Sequence, residues 1–316
     1  MNLTLNSPGL EQSNSLLVAV DTGNKQIKTQ HRIFTAGIVD HDRYPPFGKD
    51  VIQYNGKFYT LSDKRIPYMR DKTEDERYFI LTLFGIAYEA RQAQMELEGP
   101  LNVSLLVGLP PAHFGAQQDK YREYFGANTM VDFAFNEQPL SIFVSEVVVY
   151  PQAFAAVALN ISELKAYPKA IVIDIGGYTA DLLKLNCGAP DLSICDSLEY
   201  GTINFYNQAI ERVNSTYDTL LEEGDVDYVL RGETTVLPDK IIKLITELAG
   251  SYVEDFFNRL REKGIDLKTY HTVFAGGGSI LFRPFIEMCD KLGPYQFVEE
   301  IKSNALGYER LYQLGL

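Results

Sequence analysis

The chain has 316 residues, of which 46% are hydrophobic and 22% are charged. This composition is typical of a folded protein and excludes a low-complexity chain, and the length predicts two domains of ordinary size, with disorder confined to the first dozen residues. The formal net charge of −13 argues against direct binding to nucleic acid, because an acidic surface repels the phosphate backbone. Any link to DNA is therefore expected to run through a basic partner protein.

The cysteines and the apolar runs indicate the cellular compartment in which the protein is expected. Cys187, Cys195 and Cys289 are an odd number without a C-x-x-C pair, so no disulfide framework is predicted. Residues 1–15 lack the basic and apolar regions of a signal peptide, and the apolar runs are shorter than the ~18 residues that suggest a membrane span. We expect a soluble protein of the reducing cytoplasm that does not contact a membrane.

Strands dominate the predicted beginning of the fold. The apolar run Leu16–Val20 ends at Asp21-Thr22-Gly23-Asn24, which indicates a buried strand followed by a sharp turn. Further strands are predicted over 28–39 and 51–61, where Asn55-Gly56 lies between β-forming residues and is a strong hairpin signal. Helical spacing of apolar residues then predicts one long helix over 74–97, and the apolar run 101–111 predicts a central strand covered on both faces.

The second half is predicted to alternate strands and helices. Strands are expected at 141–150, in both arms of the strand-turn-strand segment 170–185, and at 271–279. Helices are expected at 151–160, 202–213, 238–248 and 251–263, and two more are expected to begin at Arg283 and Asn304.

Three glycine turns each end an apolar strand. Glycine lets backbone N–H groups approach an anion closely, and successive N–H donors in a tight turn form a concave anion site. Two such turns facing each other could hold a triphosphate between them. The turns are Asp21-Thr22-Gly23-Asn24, Asp174-Ile175-Gly176-Gly177 and Ala275-Gly276-Gly277-Gly278-Ser279.

Acidic residues precede the first two glycine turns. A carboxylate beside bound phosphates would repel them unless a divalent cation lies between, and Mg²⁺ prefers oxygen ligands. Asp21 and Asp174 are therefore predicted to belong to a metal shell, and Lys28, on the returning strand, could direct its ammonium at the phosphates.

Each feature also has a structural explanation when it is taken alone. One Asp-x-Gly turn is more often a hairpin turn than a phosphate site, and a Gly-Gly-Gly run is commonly a flexible turn. The prediction rests on the combination of the three turns. The histidines are too scattered to indicate a metal cluster: His31, His41, His113 and His271.

Five segments, in this order, resemble the superfold of actin, heat-shock chaperones and sugar kinases over residues 16–312. VAVDTGNKQIK and AIVIDIGGYTADLLKL resemble its two phosphate loops, and TVFAGGGSILFRPFI resembles its adenosine motif. VSEVVVYPQAFAAV and SNALGYERL resemble its two connecting helices.

Within this superfold the chain most resembles the ParM-like bacterial actins. No segment remains for the substrate-binding domain of the chaperones, and the catalytic acid of a sugar pocket is not identified. The segment around Gln152 resembles the ParM segment whose polar residue positions the attacking water, with Gln at the position where some ParM proteins have Glu.

The resemblance implies specific roles. Gln152 would orient the water, Asp174 would bind metal or polarise water, and Asp21 would hold the water shell of Mg²⁺. The nucleotide, ATP or GTP, would be bound by the turns and their neighbours: Gly23, Asn24, Lys25, Gln26, Lys28, Gly176, Gly177, Tyr178, Thr179, Gly201, Gly276, Gly277 and Gly278.

The resemblance also implies a fold and a function. It implies an α/β, actin-like (ribonuclease H-like) fold with the nucleotide cleft between domain I, residues 1–165 completed by a C-terminal helix at about 302–316, and domain II, residues 166–301. The implied activity is an ATPase that forms dynamic filaments of itself and segregates plasmid DNA through a ParR-like DNA-binding adaptor on a centromere-like site. Two alternatives remain: a small-molecule kinase or other non-polymerising ATPase of the same superfold, and a cytoskeletal scaffold not linked to plasmids.

Overall fold

A computed structural model describes residues 14–69, 71–95, 99–126 and 129–316. The disorder predicted for the first dozen residues and the last part of the helix predicted over 74–97 lie outside these ranges. The described chain forms two β-sheets of nine and five strands, with helices packed around them.

The first sheet is built on three parallel strands that pair side by side: β1 (Ser15–Thr22), β7 (Leu101–Leu109) and β9 (Gln138–Pro151). Val18, Ala19 and Val20 of β1 are fully buried, as expected for a strand covered on both faces. The other strands of this sheet pair antiparallel, in the order β3-β2-β1-β7-β9-β8-β5-β6-β4. The bounds are β1 Ser15–Thr22, β2 Gln26–Lys28, β3 Ile33–Thr35, β4 Ile38–His41, β5 Val51–Tyr54, β6 Lys57–Leu61, β7 Leu101–Leu109, β8 Thr129–Phe135 and β9 Gln138–Pro151.

The second sheet has the order β12-β11-β10-β13-β14. Strand β10 pairs parallel with β13 and antiparallel with β11, and all six of its residues are buried. The bounds are β10 Ala170–Ile175, β11 Ala180–Asn186, β12 Ala189–Leu198, β13 His271–Ala275 and β14 Tyr295–Phe297.

Helices cover both sheets. The α-helices are α1 Arg77–Gln92, α2 Pro111–Tyr124, α3 Ile161–Leu164, α4 Thr202–Tyr217, α5 Glu223–Leu230, α6 Asp239–Glu262, α7 Gly276–Glu287 and α8 Ser303–Gln313. Three short 3-10 helices lie at Lys72–Glu74, Ala155–Val157 and Leu267–Thr269. Among the helices of the described ranges, none is both long and apolar enough to cross a membrane.

The hairpin predicted at Asn55-Gly56 is confirmed. Strands β5 and β6 pair antiparallel around these two residues, whose φ angles are 48° and 77°. Two successive positive φ angles are the requirement that favours the Asn-Gly pair in a two-residue hairpin.

The predicted helix over 151–160 is wrong. Strand β9 continues through Pro151, and the N–H of Gln152 still donates to the carbonyl of Leu109 on β7 at 2.8 Å. Ala153 then adopts a left-handed φ of 61°, which stops a helix from starting here. Only the 3-10 turn at Ala155–Val157 follows.

Two other predicted helix boundaries are also wrong. The break expected between 248 and 251 is absent, because α6 runs through Gly250; the buried face of Ile245, Ala249 and Val253 outweighs the ~1 kcal/mol helix penalty of glycine. The helix expected from Arg283 begins at Gly276 instead, so the three glycines form its first turn.

Helix α8 packs against the back of the first sheet. Ala305, Tyr308 and Leu311 of this helix join Ala19 of β1 and Leu106 of β7 in one buried cluster. The helix also lies directly on the 3-10 turn, since a Cβ atom at Gly307 would be 1.9 Å from the carbonyl oxygen of Ala155. The neighbouring residues Ala153 and Val157 pack instead on the second sheet. The segment 153–158 therefore lies where the two sheets approach each other.

We predict that Gly307→Ala lowers the free energy of unfolding by about 1–3 kcal/mol, because the added methyl group overpacks a backbone contact. Gly224→Ala is the matched control. Gly224 is an exposed residue of helix α5. Apart from its neighbours and the backbone of its own helix, no described atom lies within 4 Å of its ideal Cβ position, and alanine should stabilise that helix by up to about 1 kcal/mol. Denaturant unfolding of both variants tests this, and equal free energies of unfolding for the two variants would disprove the close contact.

Candidate functional site

A cavity of about 480 Å³ lies at the carboxyl ends of the parallel strands of both sheets. Strands β1 and β9 lead into it from the first sheet, at Asp21 and Gln152, and strand β10 leads into it from the second, at Asp174. In α/β proteins ligands bind outside the carboxyl ends of strands, because the loops there can be shaped for a ligand while the sheet holds them in place.

Asp21 is held by two groups of the first half of the chain. Its carboxylate accepts a hydrogen bond from Gln152 Nε2 at 2.9 Å and pairs with Lys28 Nζ at 3.4 Å. Asp21 and Lys28 face each other across the β1–β2 hairpin, so the strand register places the ammonium beside the carboxylate. The side chain of Asp21 is 4% exposed, which makes this pairing necessary for a charge that is removed from water.

Asp174 is the corresponding carboxylate of the second sheet. Asn304 Nδ2, at the start of α8, donates to its Oδ2 atom at 2.7 Å. Burial raises the pKa of Asp174, and the nearby charge of Asp21 raises it further, while the hydrogen bond from Asn304 opposes the shift. A buried carboxylate that shares a cavity with another carboxylate is expected to favour a bound cation.

Asp181 adds a third acidic group to this cavity. It lies opposite Asp174 on the neighbouring strand β11 and accepts a hydrogen bond from Ser197 Oγ. Burial, followed by the charge of Asp174, raises the pKa of Asp181 to about 7. The sequence analysis did not identify this residue, although its place seven residues after Asp174 in a strand-turn-strand segment was available as a signal.

The first two glycine turns approach each other closely where they line the cavity. A Cβ atom at Gly177 would be 2.9 Å from both the backbone nitrogen and the Cβ atom of Lys25, so only glycine allows this approach. Gly276 has a φ of 81°, and a Cβ there would be 2.2 Å from Asp174 Oδ1. The third turn therefore packs directly beneath the carboxylate of the second.

The structure brings almost all the predicted site residues together around the cavity. Gly201 and Gly276 are the exceptions, since they pack behind its wall. The predicted residues that line it are Asp21, Gly23, Asn24, Lys25, Gln26, Lys28, Gln152, Asp174, Gly176, Gly177, Tyr178, Thr179, Gly277 and Gly278.

The Lys25 side chain has an unexpected direction. Its ammonium donates to Tyr206 Oη at 2.5 Å and pairs with Asp227 at 3.1 Å, both on helices of the second half. Any contact of Lys25 with a phosphate would therefore involve its backbone N–H. Helix α5, which carries Asp227, was not predicted from the sequence.

Several lining residues were not identified from the sequence. Besides Asp181, the polar residues Lys72, Thr202 and Asn304 line the cavity, and they come from elements far apart in the chain, so no single local motif marks them. An apolar wall, with Arg231 at its edge, completes the cavity and offers a surface for a planar base: Leu230, Ile280, Leu281, Pro284 and Ile301.

The donor set fits Mg²⁺ bound partly by water and by a ligand. Asp21 and Asp174 supply carboxylate oxygens, and Asn304 Oδ1 is a buried oxygen that has no hydrogen-bond partner among the described residues. In the described part of the chain no group of three or more His, Cys, Asp or Glu side chains is arranged to hold a metal ion. Mg²⁺ commonly binds through one or two carboxylates plus waters and phosphates, so these residues suit it when a phosphate ligand is present.

Comparison with known proteins agrees with this geometry. Residues 19–154 match the family model described as the N-terminal domain of actin-like proteins. A comparison with curated protein sequences finds no match.

Most of the chain superposes on several solved structures. The crystal structure of an archaeal actin homologue has a TM-score of 0.74 at 16% identity and covers 95% of this chain and 100% of its own. The apo psk41 ParM protein gives 0.68 at 18% identity, covering 96% and 98%. A 15-stranded ParM filament from Clostridium botulinum gives 0.72 at 17% identity, covering 94% and 99%. The chain therefore has the predicted α/β actin-like fold, and its resemblance to ParM proteins is confirmed at the level of the fold.

We predict that Lys25 and Asp227 are energetically coupled, because both charges are partly buried and they pair with each other at 3.1 Å. A double-mutant cycle of Lys25→Met and Asp227→Asn, measured by denaturant unfolding, should give a coupling energy of about 1 kcal/mol. The exposed pair of Lys243 and Glu247 on α6 is the control, for which we expect no more than about 0.5 kcal/mol. Equal values for the two pairs would contradict the prediction.

Proposed function

We propose that this chain is an actin-like nucleoside triphosphatase that binds ATP, or GTP, with Mg²⁺ in the cavity and polymerises into filaments. The observation that carries the proposal is the pair of buried carboxylates, Asp21 and Asp174, at the strand ends of two different sheets, with glycine turns facing each other beside them. The archaeal homologue with this fold was also solved in complex with ADP.

The phosphates would lie between the two glycine turns, with the base against the apolar wall near Gly277 and Gly278. Mg²⁺, when bound, would neutralise negative charge on the phosphates near Asp21 and Asp174. Since Lys28 pairs with Asp21, its ammonium balances this carboxylate and remains close to the phosphate site.

Gln152 is proposed to orient the attacking water. Its amide nitrogen is fixed by Asp21 and its backbone N–H by Leu109, so the side chain is held at the end of β9 in the cavity. Phosphoryl transfer depends mainly on positioning and on electrostatic stabilisation, and a fixed amide beside two carboxylates suits the first of these. Asp174 is proposed to bind metal or polarise the water.

Self-assembly is the second part of the proposal. Solved structures with this fold include ParM, AlfA and Alp12 filaments. A head-to-tail contact between identical subunits repeats without closing, so it generates a filament. Nucleotide bound between the two halves would favour one relative position of the halves, and hydrolysis would remove contacts that maintain it.

Plasmid segregation through a ParR-like DNA-binding adaptor on a centromere-like site is proposed as the role of the filament. The net charge of −13 supports an indirect link, because an acidic filament would need a basic intermediary to reach DNA. The cytoplasmic location and the absence of direct contact with membranes or nucleic acids stay predictions.

We predict that purified protein with Mg²⁺ and ATP, or GTP, scatters light above a critical concentration, and that the scattering decays as phosphate accumulates. Right-angle light scattering with parallel phosphate release measures both. Turnover without scattering would contradict polymerisation and favour a non-polymerising ATPase or a small-molecule kinase. Absence of both signals would contradict the whole proposal.

We predict that Gln152→Ala slows phosphate release by at least about tenfold and prolongs the life of the filaments, because the water loses its orienting amide. Asp174→Ala should nearly abolish release while the fold persists. Gln208→Ala, an exposed glutamine on α4, is the control and should release phosphate at the wild-type rate. Normal turnover of the Gln152 variant would remove this residue from the mechanism.

A further inference from the structure

A short segment of the first half of the molecule, which contains the nine-stranded sheet, contacts the second half, which contains the five-stranded sheet, beside the glycine turns. Residues 65–69, which we call the strap, follow strand β6. Ile66 anchors the strap: its side chain is buried in the core of the first sheet, and its N–H donates to the carbonyl of Ala36 at 2.8 Å. The strap is therefore fixed to the first half of the molecule.

Two strap residues contact the second half. Arg65 donates to Glu223 at the start of α5 from both Nε and Nη2, at 3.2 and 2.8 Å. The ring of Tyr68 stacks on Tyr178 of the second glycine turn, with ring centroids 3.4 Å apart and planes inclined by 10°. The strap thus connects the two halves, and one of its contacts lies on a turn that lines the cavity.

Lys72 follows the strap, at the start of a 3-10 helix, and lines the cavity. Its ammonium donates to the carbonyl oxygen of Thr22 in the first glycine turn and lies 5.0 Å from the centre of the Tyr78 ring. The carboxylates of Asp21 and Asp181 are near enough to act on it electrostatically, but within the described ranges Lys72 forms no ion pair with a carboxylate.

This environment leaves a positive charge poorly compensated. Desolvation is the largest influence on the pKa of Lys72 and lowers it to about 8, despite the attraction of two carboxylates. The other cavity lysines have partners, since Lys28 pairs with Asp21 and Lys25 pairs with Asp227. An anion in the cavity would give Lys72 the counter-charge that it lacks.

We propose that Lys72 is a further phosphate-binding residue that contacts the terminal phosphate of a nucleoside triphosphate and is held in place by the strap. The inference rests on the proposed function, because it requires a triphosphate in this cavity. Lys72 contacts the first turn at Thr22, and the strap just before it contacts the second turn through Tyr68 and Tyr178, so Lys72 lies next to a segment that reaches both turns. A diphosphate would lack the group that Lys72 contacts.

The test compares the affinities of Lys72→Met for AMPPNP and for ADP, each with Mg²⁺, by calorimetry at concentrations below the onset of light scattering. We expect AMPPNP binding to weaken by at least about tenfold and ADP binding to change by less than about twofold, because charge-assisted contacts to phosphate are the strong ones. Lys72→Arg keeps the charge and should retain most of the AMPPNP affinity. Lys64→Met removes an exposed lysine just before the strap and should bind both nucleotides as the wild type does.

Tyr68→Ala provides a second test that leaves Lys72 intact. Loss of the stacking on Tyr178 should weaken AMPPNP binding more than ADP binding, because the strap no longer holds Lys72 at the cavity. Thermal unfolding of each variant establishes that it is folded.

The outcomes separate the inference from the proposed function. If the wild type binds both nucleotides and Lys72→Met binds them equally well, or weakens both equally, the inference is wrong and the proposed function stands. If the wild type binds neither nucleotide, the proposed function itself is wrong, and the inference falls with it.

Discussion

The central constraint in this protein is that two carboxylates from different sheets are buried in the same cavity. Asp21 and Asp174 each end a central strand, and each is held by a side-chain amide, from Gln152 and Asn304 respectively. Burial of unpaired charge is costly, so the surrounding structure has to supply these amides, the ammonium of Lys28 and, in our proposal, a cation. The two amides come from the ends of the two segments that join the halves of the molecule.

The joining segments explain how the two carboxylates keep their positions relative to each other. The 3-10 turn at Ala155–Val157 and helix α8 are in backbone contact at Gly307, which allows no side chain between them. Ala155 packs toward the first sheet, while Val157 packs on the second. A change in the position of one half would therefore be transmitted to the amides that hold Asp21 and Asp174.

Opposite charges meet on the other side of the cavity. Helix α5 presents Glu223 and Asp227, and the first half presents Arg65 and Lys25 to them. These pairs are partly exposed, so each contributes modestly, and their separation would not require large free energies. These ion pairs and the stacking of Tyr68 on Tyr178 lie next to the glycine turns. A nucleotide bound there could strengthen or weaken the contacts between the two halves.

The sequence by itself determined the strand-and-turn framework of the site. An apolar run that ends in Asp and Gly has few physical alternatives, so β1, β10 and the residues directly after them were predicted correctly, as was the Asn55-Gly56 hairpin. Local patterns were insufficient where tertiary contacts decide the backbone. The pairing of Gln152 with β7 prevented the helix predicted over 151–160, and burial of one face carried α6 through Gly250.

Only the tertiary structure decided which distant side chains complete the cavity. Lys72 and Asn304 lie in elements separated by a long stretch of chain, and each is an ordinary polar residue in its local sequence. Likewise, the direction of the Lys25 ammonium depends on helix α5, because its partner Asp227 lies 202 residues further along the chain. A sequence pattern determines where a strand and its turn form and which side chains they carry. The charges that surround them depend on packing between elements that are not neighbours along the chain.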